Sequence, residues 1–306
     1  MQGIDLHVHS NKSDGSNTPA ELVHIAMSKG LSAFALTDHD TVDGIDEAFD
    51  CAEKLRVEKV NTASPIHASA IPEVIAGIEL STEYQGKDIH LVGLYIDHHA
   101  PSFCAYLQHF VASRLERNRK MCTNLAAAGI DISYEKLLER FPDSVLTRAH
   151  YAIYLHEKGY VSSKEQAFSQ YVGDHTKYFV PREKITPEMG VELILQAGGI
   201  PILAHPILYR MSDARLEDLI SRLKSAGLTG IEAIYASYST AEERQMRDLA
   251  AKYDLLISGG SDYHGIAKPG LEMGTGYGKL FVPEDVLGKL LVNSHRPNFI
   301  NEFYNP

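Results

Sequence analysis

Short apolar runs of strand length recur along this chain, and helical patterns lie between most of them. One helical pattern, residues 19–29, follows Thr18, a favourable N-cap, and stops at Gly30; another, residues 188–197, stops at Gly198. This alternation predicts a parallel sheet with right-handed crossovers, a barrel or an open sheet, with its active site at the carboxyl ends of the strands. The predicted strands are residues 4–8, 33–36, 74–78, 89–95, 200–204, 230–234 and 255–258.

The alternation of strands and helices is interrupted at residues 98–175, because helical patterns follow one another there without a convincing strand. A helical insert between two strand–helix units commonly forms a cap over the strand ends. We therefore expect a large α/β domain in two parts, residues 1–97 and 176–306, with a mostly helical cap at residues 98–175. The predicted cap helices are residues 103–128, 133–141, 148–158 and 163–172, and residues 61–72 are predicted to be a surface loop.

Length and composition narrow the class of protein. A chain of 306 residues with 44% hydrophobic residues can bury one large core and still carry an insert. No apolar stretch approaches the roughly 20 residues that a membrane span needs, and Met1 leads into an apolar strand without features of a signal peptide. We expect a globular protein that is located in the cytoplasm and does not associate with membranes.

Charge and cysteine content exclude further classes. The formal net charge of −11 disfavours broad binding to duplex DNA but permits a small phosphorylated substrate. The three cysteines, Cys51, Cys104 and Cys122, match neither a zinc-thiolate motif nor a disulfide framework and are interpreted as reduced core residues.

The first apolar strand carries the first candidate metal ligands. Polar and apolar residues alternate strictly over residues 4–10, so Asp5, His7 and His9 lie on one face of the strand. A half-buried strand with a polar outer face would give the same pattern, but two histidines and an aspartate are unusual there. Asp5 is expected to orient an imidazole rather than to bind metal.

Other ionisable residues stand beside later apolar runs. His39 lies between Asp38 and Asp40, for which orienting roles or a helix N-cap are expected, directly after residues 33–36. Taken singly, each residue has an ordinary explanation, such as a turn aspartate or a core histidine. As an ordered set they indicate a cluster of divalent ions that share carboxylates. The expected metal ligands are His7, His9, Asp14, His39, Glu79, His90, His205, Asp262 and His264.

This series resembles the PHP (polymerase and histidinol phosphatase) family. The matching pieces are residues 5–10, 37–40, 77–79, 204–206 and 261–265. The resemblance implies a distorted barrel of about seven βα units with a trinuclear metal site. By the same resemblance, one ion would be bound by His7, His9, Glu79 and Asp262, a second by Glu79, His90 and His205, and a third by Asp14, His39 and His264. Two or three divalent ions are therefore expected, manganese first, with iron, zinc or magnesium as alternatives that a mixed nitrogen and oxygen shell does not separate.

Within the family, the whole chain resembles the branch of nucleoside 3′,5′-bisphosphate phosphatases and 5′-to-3′ exoribonucleases. The cap motifs that carry this resemblance are residues 117–118, 146–150 and 177–181. Two departures from the branch are a longer stretch at residues 54–73 and an alanine, Ala149, where proline is frequent. The substrate-binding candidates are Arg148 and Lys177 for phosphate, Arg117 and Asn118 for a second phosphate or the sugar, and His150. For the basic residues, the ordinary alternative is a surface side chain paired with an acid.

The resemblance implies a metal-dependent phosphatase that removes the 3′-phosphate of nucleoside 3′,5′-bisphosphates. Arg148 and Lys177 would stabilise the transition state, and a metal-bound water, Asp38 or His205 would protonate the leaving oxygen. Three alternatives stay open: a 5′-to-3′ exonuclease on short single-stranded RNA, a histidinol-phosphate phosphatase, and a metal-stabilised module without catalysis. Nothing in the sequence decides the oligomeric state.

Overall fold

The computed structural model describes residues 3–62, 71–142, 144–181 and 185–293. Its described strands form one sheet in the order β7-β6-β5-β4-β3-β2-β1-β8. The predicted strands are confirmed, with β3 extended by six residues beyond its expected end. The strands are β1 Gly3–Val8, β2 Ala33–Leu36, β3 Glu73–Tyr84, β4 Lys87–Leu94, β5 Ile200–Leu203, β6 Gly230–Tyr235, β7 Leu256–Gly260 and β8 Val282–Pro283.

Strands β1 to β7 curl into a nearly closed barrel. Val8 at the end of β1 forms a parallel bridge with Tyr263, three residues beyond β7, and the His9 N–H donates to the Tyr263 carbonyl at 2.9 Å. Strand β8 is antiparallel to β1 and is the last strand of the sheet at that edge. The residues that follow β1 and β7 are therefore neighbours, although about 255 positions separate them along the chain.

The expected all-parallel sheet is wrong at β4. This strand is antiparallel to both β3 and β5, because a two-residue turn at Gln85 and Gly86 joins β3 to β4 as a hairpin. Both turn residues have positive φ, +49° and +75°, as tight hairpin turns require. Glu79 and His90 consequently lie inside β3 and β4, not at strand ends.

Six helices pack around the barrel. The expected N-cap is confirmed at Thr18, whose hydroxyl accepts a hydrogen bond from the Glu21 N–H at 3.1 Å. Alternate residues of β2 enter different apolar clusters: Phe34 and Leu36 contribute to one, Ala33 and Ala35 to the other. The helices are α1 Pro19–Ser28, α2 Ile45–Thr62, α7 Pro187–Gln196, α8 Asp213–Ala226, α9 Thr240–Lys252 and α10 Asp285–Asn293.

The predicted cap helices are also confirmed and have an apolar cluster of their own, which includes Leu125, Tyr151 and Leu155. The cap contacts the loop after β1, where the Val145 N–H donates to the Lys12 carbonyl at 2.9 Å and the Ser144 hydroxyl to the Asn11 carbonyl at 2.7 Å. These contacts place the cap over the barrel end that carries the ionisable residues. The cap consists of α3 Pro101–Ala127, α4 Tyr134–Arg140, α5 Arg148–Glu157, α6 Lys164–Ala167 and a π-helical turn at Phe168–Val172.

Three further expectations concern other parts of the chain. Cys51, Cys104 and Cys122 are free thiols, but only Cys122 is a buried core residue, and the other two are half-buried. Within the described ranges, no helix has the length and apolar character to span a bilayer. Most of the loop predicted at residues 61–72 lies outside the described residues: the first two positions end α2, and only residues 71–72 are described beyond it.

Candidate metal centre

The structure brings all nine expected metal-binding residues together at one end of the barrel. The alternation of side chains along β1 places His7 and His9 on the same face, and their imidazole centroids are 5.1 Å apart. Both side chains are fully buried. Gly260 at the end of β7 lets this strand lie close to β1, because a Cβ at position 260 would be 2.5 Å from the Cβ of His7.

Glu79 is the centre of the cluster, and both of its carboxylate oxygens face imidazole nitrogens. Burial alone would raise the pKa of Glu79, but the surrounding histidines hold it well below its usual value. A carboxylate with histidines on both oxygens has the arrangement of a group that bridges two cations. Oε2 lies 3.3 Å from His7 Nε2, 3.2 Å from His9 Nε2 and 3.1 Å from His39 Nδ1, and Oε1 lies 2.8 Å from His90 Nδ1 and 2.9 Å from His205 Nε2.

Asp14 organises a second part of the cluster, on the side that faces the cap. Its Oδ1 lies 3.2 Å from His264 Nε2, and its Oδ2 lies 3.8 Å from His39 Nε2. Burial would raise the pKa of Asp14, but His39 and His264 lower it well below the usual range. Together with His9, these residues present four potential ligand atoms within 4.8 Å of one another.

Asp262 joins the two parts. Its Oδ1 lies 3.2 Å from His9 Nε2 and 3.6 Å from His7 Nε2, while Oδ2 accepts hydrogen bonds from Tyr235 at 2.6 Å and Lys268 at 2.5 Å. The backbone of Asp262 has a φ of +55°, which costs energy in a residue other than glycine and is frequent at functional sites. Neither Tyr235 nor Lys268 was expected from the sequence.

The donor atoms in this cluster fit divalent cations. Ring nitrogens and carboxylate oxygens lie about 3 to 4 Å apart, the separation of two ligands that share an ion at roughly 2.0–2.2 Å. A buried polar atom without a partner normally costs stability, so several at one point need an explanation, and cations supply one. The buried atoms without a hydrogen bond include His7 Nε2, His9 Nε2, Asp14 Oδ1, His39 Nδ1, Glu79 Oε2 and His205 Nδ1.

Glu232 supports the cluster from behind, and the sequence analysis missed it. Its Oε1 lies 3.0 Å from His7 Nδ1, and its Oε2 accepts the His205 N–H at 2.7 Å. Such a contact fixes the ring orientation that a metal ligand needs. The signal was available in the sequence: a glutamate in the middle of the apolar run 230–234 needs a partner to offset its desolvation.

The three aspartates expected to orient ligands have different partners. Asp5 accepts from the N–H groups of His7, Ser261 and Gly274 and from the Ser261 hydroxyl, so it ties β1 to the end of β7, and the expected role of orienting an imidazole belongs to Glu232. Asp38 is buried and accepts from the hydroxyls of Ser10 and Ser13, which shapes the loop that carries Asp14.

Asp40 links the barrel to the cap. The suggested helix N-cap at this position is wrong, because α2 begins at Ile45. The Asp40 carboxylate accepts the Ser81 N–H at 2.7 Å and pairs with the guanidinium of Arg114 on α3. Both side chains of this pair are buried.

A cavity of about 220 Å³, here called the arginine cavity, lies between the cluster and the cap. His39 and His90 line it on the barrel side, and Phe168 and Phe179 on the cap side. It also contains Arg114, which the sequence analysis missed, with Arg117 and Arg148. Arg148 pairs with Asp88 at 2.6 Å and with Asp174. Three guanidinium groups therefore lie beside the cluster, two of them paired with carboxylates, and guanidinium groups can bind two oxygens of a phosphate.

The other three substrate-binding candidates lie elsewhere in the cap. The Asn118 side-chain amide donates to the Leu146 carbonyl at 3.0 Å. Nδ1 of the buried His150 accepts the Thr147 N–H at 2.9 Å and caps α5. Lys177 is exposed, with its ammonium group over the ring of Tyr178. None of the three is among the described residues that line the arginine cavity.

Comparison with known proteins agrees with this geometry. The model of the PHP domain matches residues 5–182. A 5′-3′ exoribonuclease of Haemophilus influenzae is 38% identical over 260 residues, which cover 85% of this chain and 89% of that protein. A 3′,5′-nucleoside bisphosphate phosphatase of Chromobacterium violaceum is 32% identical over 276 residues, which cover 90% of this chain and 91% of the relative.

A solved structure extends the agreement to the fold. A protein from Chromobacterium violaceum, described as an amidohydrolase with bound sulfate and no metal, superposes with a TM-score of 0.80. The two sequences are 31% identical, and the match covers 95% of this chain and 96% of that one. The similarity therefore includes the cap as well as the barrel.

Proposed function

The chain belongs to the PHP family of metal-dependent phosphoesterases, and on that premise we propose that it removes the 3′-phosphate of nucleoside 3′,5′-bisphosphates. It is a hydrolase that acts on phosphoesters. The observation that carries the choice of substrate is the arginine cavity, where Arg114, Arg117 and Arg148 stand directly beside the cluster. A ligand with two phosphate groups can place one at the cluster and the other among these guanidinium groups.

The nine clustered residues would hold two or three divalent ions, with manganese as the proposed metal. Histidine nitrogens with carboxylate oxygens suit manganese, iron and zinc. When bound, such ions lower the pKa of water toward neutrality and neutralise charge on phosphoryl oxygens. Glu79, Asp14 and Asp262 supply the negative charge that keeps several cations at this point.

The side chains of the protein orient the substrate. Arg117 and Arg148 hold the 5′-phosphate, and Phe168 and Phe179 line the same cavity, where a base can stack. The cavity is smaller than the roughly 300 Å³ of most ligand pockets, so the base lies toward its mouth. In the reaction, a water oxygen forms a bond to phosphorus, the bond from phosphorus to O3′ breaks, and O3′ gains a proton.

The proton for O3′ comes from water in this scheme. Asp38 was one candidate donor, but it is buried beneath Ser10 and Ser13, which already occupy its carboxylate oxygens. His205 was another, but its Nε2 faces Glu79 at 2.9 Å and belongs to the cation-binding set.

A substrate panel tests the proposal. Purified protein loaded in turn with manganese, zinc, iron or magnesium is incubated with 3′-phosphoadenosine 5′-phosphate, adenosine 3′-monophosphate and histidinol phosphate, and released phosphate is measured. We expect the bisphosphate to have the highest kcat/KM, because only it occupies both the cluster and the arginine cavity. A higher kcat/KM for histidinol phosphate, or equal values for the two nucleotides, would contradict the proposal.

A second activity, 5′-to-3′ hydrolysis of short 5′-phosphorylated RNA, uses the same attack at a diester. It breaks the same bond between O3′ and phosphorus, and the leaving nucleotide is again a 5′-phosphate. The relative from Haemophilus influenzae is named for such an activity. The observation in this protein that favours it is a second cavity at the cluster.

A further inference from the structure

A second cavity, of about 660 Å³, adjoins the arginine cavity under the cap; we call it the lysine cavity. The two cavities share Asp14, Ala149 and Phe168 as a common wall. Its volume lies within the roughly 300–1,000 Å³ of ligand-binding pockets. Its other lining residues are Ile153, Lys164, Glu165, Ser169, His264, Ala267 and Lys268.

The two cavities reach the cluster from different sides. His39 and His90 line the arginine cavity, whereas His264 lines the lysine cavity. Since all three histidines belong to the cluster, both cavities border it. A monoester has a single organic substituent on phosphorus and needs one cavity. A diester has two, and this protein has a second space for the second substituent.

The charged residues that line the two cavities differ, as expected if one cavity binds the terminal phosphate of an RNA and the other binds an internal phosphodiester. Two arginines of the arginine cavity, Arg114 and Arg117, are buried, which suits a terminal phosphate that carries two negative charges. The lysine cavity has Lys164 and Lys268 against Glu165 and the shared Asp14, and Lys268 pairs with Asp262. Lys164 donates to the Ala267 carbonyl at 2.5 Å, so it lies where the cap contacts the barrel. The lining of the lysine cavity is therefore less positive than that of the arginine cavity, where three arginines face Asp14 and Asp88, and this difference suits an internal diester, which carries one negative charge.

Phe168 lies at the boundary between the two cavities on the π-helical turn, and 38% of it is exposed. Bases of single-stranded nucleic acid stack on aromatic rings without regard to sequence. An aromatic ring at the boundary of the two cavities is therefore a platform on which a base next to the scissile phosphate can stack. A π-helical turn is itself frequent at functional sites.

We propose that the lysine cavity binds the nucleotide that follows the scissile phosphate in a short single-stranded RNA, while the first nucleotide occupies the arginine cavity. This inference rests on the proposed function, because it places the 5′-phosphate of the RNA in the arginine cavity, where the 5′-phosphate of the bisphosphate is proposed to bind. Water attacks the phosphorus, the bond to O3′ of the first nucleotide breaks, and O3′ gains a proton. A 5′-mononucleotide leaves, and the shortened strand keeps the phosphate as its new 5′ end.

Steric blocking of the lysine cavity tests this assignment. Ser169 is exposed and lines the cavity, so Ser169→Trp adds bulk there without removing a buried contact. The matched control is Gln170→Trp, the next residue of the same turn, which is exposed and lines neither cavity. We expect Ser169→Trp to lower kcat/KM for a 5′-phosphorylated tetraribonucleotide by about tenfold or more, and to change that for the bisphosphate less than about twofold.

A charge reversal gives a second, independent readout. Lys164→Glu is compared with Lys158→Glu, an exposed cap lysine outside both cavities. Binding of a 3′-labelled, 5′-phosphorylated tetraribonucleotide is followed by fluorescence anisotropy in EDTA, where hydrolysis does not occur. We expect Lys164→Glu to weaken binding by about fivefold or more and to reduce its salt dependence, with Lys158→Glu close to the original protein.

Each outcome of these experiments either supports or contradicts the assignment of the lysine cavity. Equal losses on both substrates, unchanged turnover of the tetraribonucleotide by Ser169→Trp, or unchanged anisotropy with Lys164→Glu would overturn the assignment. If the unaltered protein hydrolyses neither substrate, the proposed function fails; the anisotropy experiment still shows whether Lys164 contacts RNA. If the bisphosphate is hydrolysed and the tetraribonucleotide is neither cleaved nor bound, the proposed function stands and this inference falls.

Discussion

Nδ1 of His7 lies 3.0 Å from Oε1 of Glu232, and both side chains are buried at the base of the metal-binding cluster. His7 belongs to β1 and Glu232 to β6, so the contact ties together strands that are distant in sequence. It leaves Nε2 of His7 directed at Glu79 and Asp262. Glu232 and these two carboxylates outweigh the effect of burial and raise the pKa of His7 well above its usual value.

Replacement of Glu232 should weaken metal binding without removing a ligand. In Glu232→Gln, one amide oxygen cannot accept from both His7 and the His205 N–H, so a buried donor loses its partner. We expect a loss of roughly 10- to 100-fold in metal affinity, measured by competition with a chromophoric chelator. Glu284→Gln, an exposed change of the same kind, is the control. An affinity equal to that of the control would show that Glu232 does not position His7.

Arg148 should contribute to substrate binding but not to metal binding. It lines the arginine cavity and pairs with Asp88 and Asp174 rather than with a member of the cluster. We expect Arg148→Ala to lower kcat/KM for the bisphosphate by roughly 10- to 100-fold, chiefly through KM, with metal content unchanged by elemental analysis. Arg148→Lys should lose less, because it keeps the charge without the bidentate fork.

The control for Arg148 is Arg140→Ala, which removes an exposed cap arginine that pairs with Glu157. Thermal unfolding of each variant shows whether the cap remains folded. A parallel loss of metal and activity in Arg148→Ala would place this residue in the cluster instead of the substrate site.

The pair of Asp40 and Arg114 should stabilise the attachment of the cap. Both side chains are buried, so Arg114→Met leaves the buried Asp40 carboxylate without this partner. We expect a loss of about 3–5 kcal/mol in the free energy of unfolding, measured with urea. The double variant Arg114→Met with Asp40→Asn should recover part of that loss. If the double variant is less stable than Arg114→Met, the pair is not the cause.

His150 should make the protein less stable in weak acid. Burial lowers its pKa to about 4, an effect that Asp14 opposes and Arg114 reinforces. The unfolded chain therefore binds a proton near pH 6.5 that the folded chain does not bind until about pH 4, and stability falls as the pH decreases between these values.

The size of this effect can be isolated with His150→Asn, which retains a side-chain acceptor for the Thr147 N–H but does not titrate. We expect the original protein to lose about 2 kcal/mol more than the variant between about pH 7 and about pH 5, in urea unfolding with EDTA. The exposed His156→Asn change is the control. Identical pH profiles for the original protein and His150→Asn would exclude His150 as the source.

The sequence determined those features that depend on near neighbours in the chain. Strict alternation in β1 predicted that His7 and His9 share a face, and the N-cap at Thr18 and the helical periods of the cap predicted helices that the structure contains. The order of the ionisable residues along the chain indicated a metal-binding cluster before any contact was known. These signals are local because side-chain direction and capping depend on residues within a turn or two.

Tertiary structure decided the rest, because pairing between distant segments is not encoded in local periodicity. The antiparallel position of β4 puts Glu79 and His90 inside strands, and the curl of the barrel brings Glu232 on β6 to His7 on β1. Arg114 looks in the sequence like any other arginine of a long helix, and only the docking of α3 buries it beside Asp40. The lysine cavity exists for the same reason, since its walls come from the cap and from the loop after β7, about 100 residues apart.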